Sequence, residues 1–363
     1  MSRLNELLRH IVEIEASDLH LKAENPPIIR LHGELIRVDQ PPFTVDELQN
    51  MLFEVLSDER KQRLMKDLEL DMSYALEGLA RFRVNMFWQR GKLGALFRLI
   101  PYKIRTIEDL RIPKVAEKLS LLPRGLILVT GPTGSGKSTS LAAMINHINI
   151  TSRKNIVTIE DPIEYVHSDK MSIINQREVG TDTSSFAEAL LHIMRQNPDV
   201  ILVGEMRDLE TIKLAITAAE TGHLVFSTLH TVDAAQTIDR IVDVFEPDQQ
   251  EQIRTQLGVT LQAVISQTIL PTADKKGRVA AFEIMIATPA VRTLIRDAKT
   301  HQLYMDIQTG AQFGMQTLDT GLLGLLSEGI IEYEQALAKS SDPEEFKRLA
   351  TKQGLLEATR ATS

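Results

Sequence analysis

The chain has no cysteine, so it can form neither disulfides nor thiolate metal sites. Aromatic residues are scarce, 5% against 43% hydrophobic residues overall, which makes any core aliphatic. No apolar run approaches the roughly 20 residues of a membrane helix. The opening MSRLNELLRHIVEIEASDLH also lacks the uninterrupted apolar stretch of a secretory signal. Positive charge is short too. With 41 Lys and Arg against 49 Asp and Glu, the formal charge is −8, which argues against a dominant nucleic-acid footprint. These absences predict a soluble, cytoplasmic protein with no transmembrane segment, whose 363 residues make two or three domains. Any membrane contact would run through a partner.

What is present divides into four stretches. Residues 1–100 read as a small α+β unit: a helical stripe of Leu4, Leu7, Leu8, Ile11 and Val12, two short strands around His32-Gly33, and a helix opened by a Thr44/Glu47 capping box. Three strand-like runs follow, DMSYAL, ARFRVNMFW and LGALFRLI. Residues 101–113, bracketed by Pro101 and Pro113, read as a linker. Over 114–288 apolar runs alternate with helical patterns, the signature of an α/β domain with a mostly parallel sheet. The remainder, 289–363, is helical.

Four apolar runs of the third stretch end in polar residues. LILVTG runs into GPTGSGKST, NIVTIED into PIEYVH, VILV into Gly204-Glu205, and HLVFSTLH ends on His230. In a parallel sheet the carboxyl ends of strands share one edge, where ligands bind. Gly131, Pro132, Thr133, Gly134, Ser135, Gly136, Lys137 and Ser138 form a full G-x-x-x-x-G-K-[ST] phosphate loop, followed by Thr139. Its backbone N–H groups and the helix behind it suit phosphate oxygens. Lys137 suits the β and γ phosphates, and the Ser138 hydroxyl one position on Mg²⁺. The expected ligands are therefore ATP and Mg²⁺.

An acid at the tip of a neighbouring strand holds Mg²⁺ in such sites, often through water. Glu205 matches that element and could equally orient the attacking water. TIEDPIEYVH adds Glu160, Asp161 and Glu164. Pro162 sets a turn that could aim Glu164 at the γ-phosphate, and spacing does not choose between Glu164 and Glu205 as base. Asp161 could instead cap local N–H groups. His223 and His230 lie an odd step apart on one strand, which disfavours a metal pair. His230 at the tip could sense the γ-phosphate, whereas His223 after Gly222 could be a helix-end histidine. Transferring a phosphoryl group also calls for arginine, and none falls within the four tips. Arg81 and Arg83 share one face of a first-domain strand and Arg98 sits on the next. They face either an anion or solvent.

GPTGSGKST, TIEDPIEYVH, INQREVGTDTSSFAEAL and ILVGEMRDLETIKLAITAAETGHLVFSTLHTVDAAQTIDRIVDVF together resemble the secretion ATPase superfamily. In its terms Glu160, Asp161 and Glu164 are the aspartate box, Glu205 the atypical second nucleotide motif, and His223 and His230 the histidine box. The resemblance implies a PAS-like first domain, a RecA-like second, and a homohexamer with ATP between the two domains. It also implies that Arg81, Arg83 and Arg98 close over the phosphates. The extension and type II secretion branches carry a tetracysteine zinc motif and longer amino-terminal regions. Here there is no cysteine and the chain begins directly with the short first domain, which points to the retraction branch. AVRTLIRD, residues 290–297, is similar to a helix of that branch and keeps its two arginines, Arg292 and Arg296. Read physically, Val291, Leu294 and Ile295 make the buried stripe and the arginines line an exposed side where a partner could bind.

The expectation is a Mg²⁺-dependent ATPase motor for type IV pilus retraction and twitching motility. It would sit at the cytoplasmic base of the pilus, act on a membrane-embedded platform protein and reach pilin only indirectly. An accessory retraction paralogue and an assembly or secretion ATPase are the alternatives within the superfamily. Outside it stand a nucleic-acid translocase and a non-hydrolysing, nucleotide-gated scaffold.

Overall fold

The computed structural model describes residues 2–14, 16–31, 33–76, 78–100 and 104–355. The first three positions of the expected linker, 101–103, and the end of the expected helical region, 356–363, lie outside the described residues, as does His32. Contacts divide the chain into two units, Met1–Lys103 with Pro162–Val166, and Ile104–Asp161 with His167–Ser363.

The first unit runs α1 (Arg3–Glu13), β1 (Asp18–Lys22), β2 (Ile28–Leu31), β3 (Glu34–Arg37), α2 (Val45–Phe53), α3 (Asp58–Asp67), β4 (Glu69–Leu76), β5 (Ala80–Gln89) and β6 (Lys92–Ile100). Ser2 caps α1, whose Leu4, Leu7, Leu8 and Ile11 are buried. The Thr44/Glu47 capping box opens α2. The strands form one antiparallel sheet in the order β3-β2-β1-β6-β5-β4. On β5 the period of two buries Ala80, Phe82, Val84 and Met86 and turns Arg81 and Arg83 to the other face. The aliphatic core with Phe43, Phe82 and Phe97 thus covers one face and leaves an arginine-bearing face opposite.

The second unit runs α4 (Val115–Ser120), β7 (Gly125–Thr130), α5 (Lys137–Thr151), β8 (Asn155–Glu160), β9 (Ile173–Glu178), α6 (Phe186–Ile193), β10 (Val200–Val203), α7 (Leu209–Glu220), β11 (Leu224–Leu229), α8 (Ala234–Val242), α9 (Gln250–Thr260), β12 (Leu261–Pro271) and β13 (Arg278–Ile286). It ends in α10 (Pro289–Arg296), α11 (Leu303–Thr309), α12 (Leu318–Ser327), α13 (Tyr333–Leu337) and α14 (Pro343–Lys352). The seven strands lie in the order β13-β12-β7-β11-β10-β8-β9. All neighbours are parallel except the β12–β13 pair. Helices cover both faces, over cores built around Val157, Ile201 and Val225 on one side and Ile127, Ile145 and Phe226 on the other. Strands buried on both faces read as continuous apolar runs, as β7, β10 and β11 do. The decisive consequence is positional: β7, β11, β10 and β8 are consecutive and parallel, so their carboxyl tips share one edge.

Candidate nucleotide site

The phosphate loop leaves β7 through Gly131, whose φ is +140°. A Cβ there would stand 2.2 Å from the Gln267 carbonyl oxygen, so only glycine fits. Gln267, on β12, also donates from Nε2 to the Ser135 carbonyl and accepts from the Ser140 hydroxyl at 2.8 Å. It buckles the loop onto the first turn of α5. Sequence reasoning missed this residue, although Ser266-Gln267 is a polar pair inside the apolar run of β12, and both are buried.

Lys137 folds back on its own loop, Nζ lying 2.9 Å from the Gly131 oxygen and 3.3 Å from that of Pro132. The same ammonium is 3.5 Å from Nδ1 of His230, and the Thr133 hydroxyl is 3.4 Å from that nitrogen. The other ring nitrogen, Nε2, meets Glu205 Oε1 at 2.8 Å. A proton on Nε2 donated to Glu205 leaves Nδ1 as an acceptor facing Lys137 and Thr133. Glu205 is gripped on its far side by Arg207, Nη2 to Oε2 at 2.7 Å. Burial pushes the Glu205 carboxyl up, but the Arg207 hydrogen bond, the electrostatic pull of His230 and Arg207 and the His230 hydrogen bond outweigh it, and its pKa is lowered.

Arg207 corrects the expectation that no arginine falls at the strand tips. The turn that places it is built from a different strand: Met206 N–H donates to the Thr228 oxygen at 3.2 Å, and the Thr228 hydroxyl to the Gly204 oxygen at 2.6 Å. Gly204 packs closely there: a Cβ would come within 3.1 Å of the Ile159 oxygen, a tighter approach than an ordinary van der Waals contact.

The remaining acids fall differently. Glu160 accepts from the Thr158 hydroxyl at 2.7 Å and Gln176 Nε2 at 3.0 Å, so its carboxylate ties β8 to β9. Asp161 is exposed and contributes to raising the Arg207 pKa behind the larger effect of Glu205. Glu164 is exposed and belongs to Pro162–Val166, the segment that groups with the first unit. His223 lies at the opposite end of β11 from His230, with Nδ1 2.9 Å from the Ala218 oxygen at the end of α7, the helix-end alternative.

In the first unit a row of charges crosses the sheet. Arg30, Asp18, Arg98 and Arg83 are successive cross-strand neighbours. Buried Asp18 takes a 2.8 Å bond from Arg98 Nε, one of 2.8 Å from Ser17, and sits 3.6 Å from Arg30. Burial works against its ionisation, yet the Arg98 and Ser17 hydrogen bonds and the charge of Arg98 hold its pKa below the usual value. Arg81 Nη2 donates to the Ser73 hydroxyl at 2.8 Å. The exposed Arg83 side chain makes no hydrogen bond or ion pair among the described residues, though it stands directly opposite Arg98. Like charges in that position repel.

Arg292 departs from the exposed, partner-facing role. Its Nη1 donates at 2.8 Å to both the Gly258 and Val259 oxygens, and Nη2 reaches Gln262 at 3.2 Å. It therefore closes the carboxyl end of α9, where carbonyls lack intrahelical partners. Arg296 remains exposed and bonds Thr293 Oγ1 at 3.0 Å, its stem packed over Gly258. The helical spacing was legible, but not the carbonyls lying under one of its arginines.

A parallel sheet with a phosphate loop, a carboxylate and a histidine on adjacent tips defines a nucleotide-binding protein of the RecA-like phosphate-loop class. The chain belongs to the Type II/IV secretion system protein family, whose model matches residues 1–338. It is 52% identical over 343 residues to the "type IV pilus retractation ATPase PilT" of Pseudomonas aeruginosa, covering 94% of this chain and 99% of the relative. To the "type IV pilus ATPase PilU" of the same organism it is 40% identical, covering 94% and 90%. Among solved structures, the pilus retraction motor PilT with bound ADP superimposes with a TM-score of 0.89 at 47% identity, over 95% of this chain and 99% of that one.

Proposed function

We propose that this protein is a Mg²⁺-dependent ATPase that drives retraction of a type IV pilus, working as a homohexamer. The reading is carried by the Lys137–His230–Glu205 chain on one sheet edge, together with 52% identity to a relative named a pilus retractation ATPase. The absence of cysteine fits that branch, and the identity to the relative named a retractation ATPase, 52%, exceeds the 40% to the relative named a type IV pilus ATPase, PilU.

The chain's own groups account for the chemistry. Residues 131–138 and the start of α5 offer N–H donors to the β and γ phosphates. Lys137 exchanges the Gly131 and Pro132 oxygens for phosphate oxygens, and His230 Nδ1, 3.5 Å away, reads whether a γ-phosphate is present. The base of the nucleotide docks in a cavity of about 200 Å³ beside Ser135, Gly136 and Thr139, lined by Leu110, Ile269, Val279 and Phe282 with Arg111 and Arg278 at hand. Glu205 orients the attacking water; Glu164 is the second candidate for that task. Arg83, with Arg81 and Arg98, supplies the positive charge that the γ-phosphoryl group requires.

The metal fits the donors. Among the described residues no group of three His, Asp or Glu could cage an ion. Mg²⁺ in phosphoryl transfer is held instead by few protein oxygens, water and the phosphates. Ser138, whose hydroxyl makes no hydrogen bond among the described residues, and Glu205, through water, would hold it. Bound there it would neutralise charge on the β and γ oxygens.

No helix among the described residues is long and apolar enough to cross a membrane. In this reading the motor works at the cytoplasmic base of the pilus, acting on a membrane-embedded platform protein and on pilin only through it. Deleting the gene tests the direction of work: surplus filaments with lost surface motility are expected, and bald cells would contradict retraction.

A further inference from the structure

Beyond Glu205, away from the phosphate loop, a second cavity of about 410 Å³ opens at the strand tips. Glu205 and His230 form part of its wall. Ile212, Leu229 and Val244 supply apolar lining, and Arg207 and Arg240 the charge. Arg207 spends one nitrogen on Glu205, and its side chain is 74% exposed. Arg240, near the end of α8, is exposed, and its side chain makes no hydrogen bond or ion pair among the described residues. Two guanidinium groups carry ten N–H donors between them. They border a cavity whose one carboxylate already serves His230. Charge and shape together ask for one more anion carried on an apolar stem.

We propose that this cavity receives an Asp or Glu side chain from a second copy of the chain, and that its arrival weakens the hold of Arg207 on Glu205. The inference rests on the homo-oligomer reading above and deepens it. A carboxylate side chain suits the site better than free phosphate, because its methylene groups cover Leu229 and Ile212 while its oxygens meet the guanidinium forks. A second copy suits it because the chain carries 49 acids against 41 bases, and so offers its own arginines a surplus of carboxylates. The incoming carboxylate shares the Arg207 guanidinium with Glu205, so subunit contact and the freedom of the catalytic carboxylate become linked quantities. Arg207 is in this account a positioning residue, acting through Glu205.

The full chain supplies the test, and its lack of cysteine makes Arg240→Cys a unique attachment point. Carrying a photoreactive maleimide, in a mixture of isotopically heavy and light chains, this variant should cross-link between copies to a segment bearing an exposed Asp or Glu. In parallel, Arg240→Glu should raise the protein concentration at half-assembly by about tenfold or more, while Arg240→Lys stays close to wild type. ADP binding and the thermal melt of both variants should be unchanged, which separates a lost contact from a lost fold. Unaltered assembly of Arg240→Glu, or cross-links confined to one chain, would overturn the inference alone. Wild-type protein that stays monomeric at every concentration would overturn the homo-oligomer reading and this inference with it.

Discussion

The two charged faces of this molecule solve opposite problems. At the strand tips of the second unit, opposite charges are interleaved at hydrogen-bond distance: Lys137, His230, Glu205 and Arg207 follow one another within 3.5 Å. Across the first-unit sheet, three arginines share a row with a single carboxylate, Asp18, and Arg83 is left over. A balanced chain can stand ready without ligand. An unbalanced row stores repulsion that an anion relieves. The comparison teaches that a residue's role is better read from how its charge is compensated than from its type. Arg98 is a structural partner of Asp18 as well as a candidate for phosphate, whereas Arg83 is a candidate for phosphate alone.

The largest break in the comparison comes from Lys137→Ala. It removes a charge from the balanced chain and from the phosphates, and phosphate release should fall by about 10³. Arg83→Ala should lower turnover by about 10² to 10³ with little change in the melting curve, the mark of an arginine that serves only the reaction. Arg98→Ala should behave differently. It leaves buried Asp18 short of its 2.8 Å partner and should also cost about 2 kcal/mol in denaturant unfolding. If the two variants proved indistinguishable in stability, the division of labour in the row would be wrong.

A smaller effect, on stability alone, belongs to Glu283 on β13. It is buried and accepts from the Ala234 N–H at 2.9 Å, at the start of α8. Burial lifts its pKa to about 7. The Ala234 bond opposes that rise, and Asp233 and Asp319 reinforce it. The folded state therefore holds this proton more tightly than the unfolded chain does. Stability should fall by about 3 kcal/mol as pH rises from the ordinary carboxyl value to about 7, with no further loss from this group above. Glu283→Gln should flatten that part of the pH dependence in urea titrations. The smallest effect expected is that of Arg292→Ala, about 1 to 2 kcal/mol from the lost α9 closure, with ATP turnover preserved.

Much of this was legible in the sequence, for physical reasons that differ between residues. The phosphate loop is contiguous, and its glycines answer local demands such as the approach of Gln267 to Gly131. The four buried strands could be found because burial on both faces removes alternation, and their shared edge follows from parallel pairing. Gln267 escaped notice because it acts across 132 positions of sequence. Arg207 escaped because its direction depends on a turn held by Thr228 from the neighbouring strand. Arg292 was misjudged because a helical wheel shows a face and not what lies beneath it. The antiparallel pairing of β12 with β13 follows from the turn at residues 272–277, TADKKG, an Asp/Gly turn signal lying between two apolar runs that sequence reasoning did not use.

The central claim is that Glu205, set between His230 and Arg207, serves the chemical step rather than nucleotide binding. Single-turnover phosphate release by Glu205→Gln, measured beside ATP affinity, tests it most directly. The account predicts turnover lowered by about 10² or more with affinity within about threefold of wild type. Hydrolysis at the wild-type rate, with Glu164→Gln inactive instead, would contradict it.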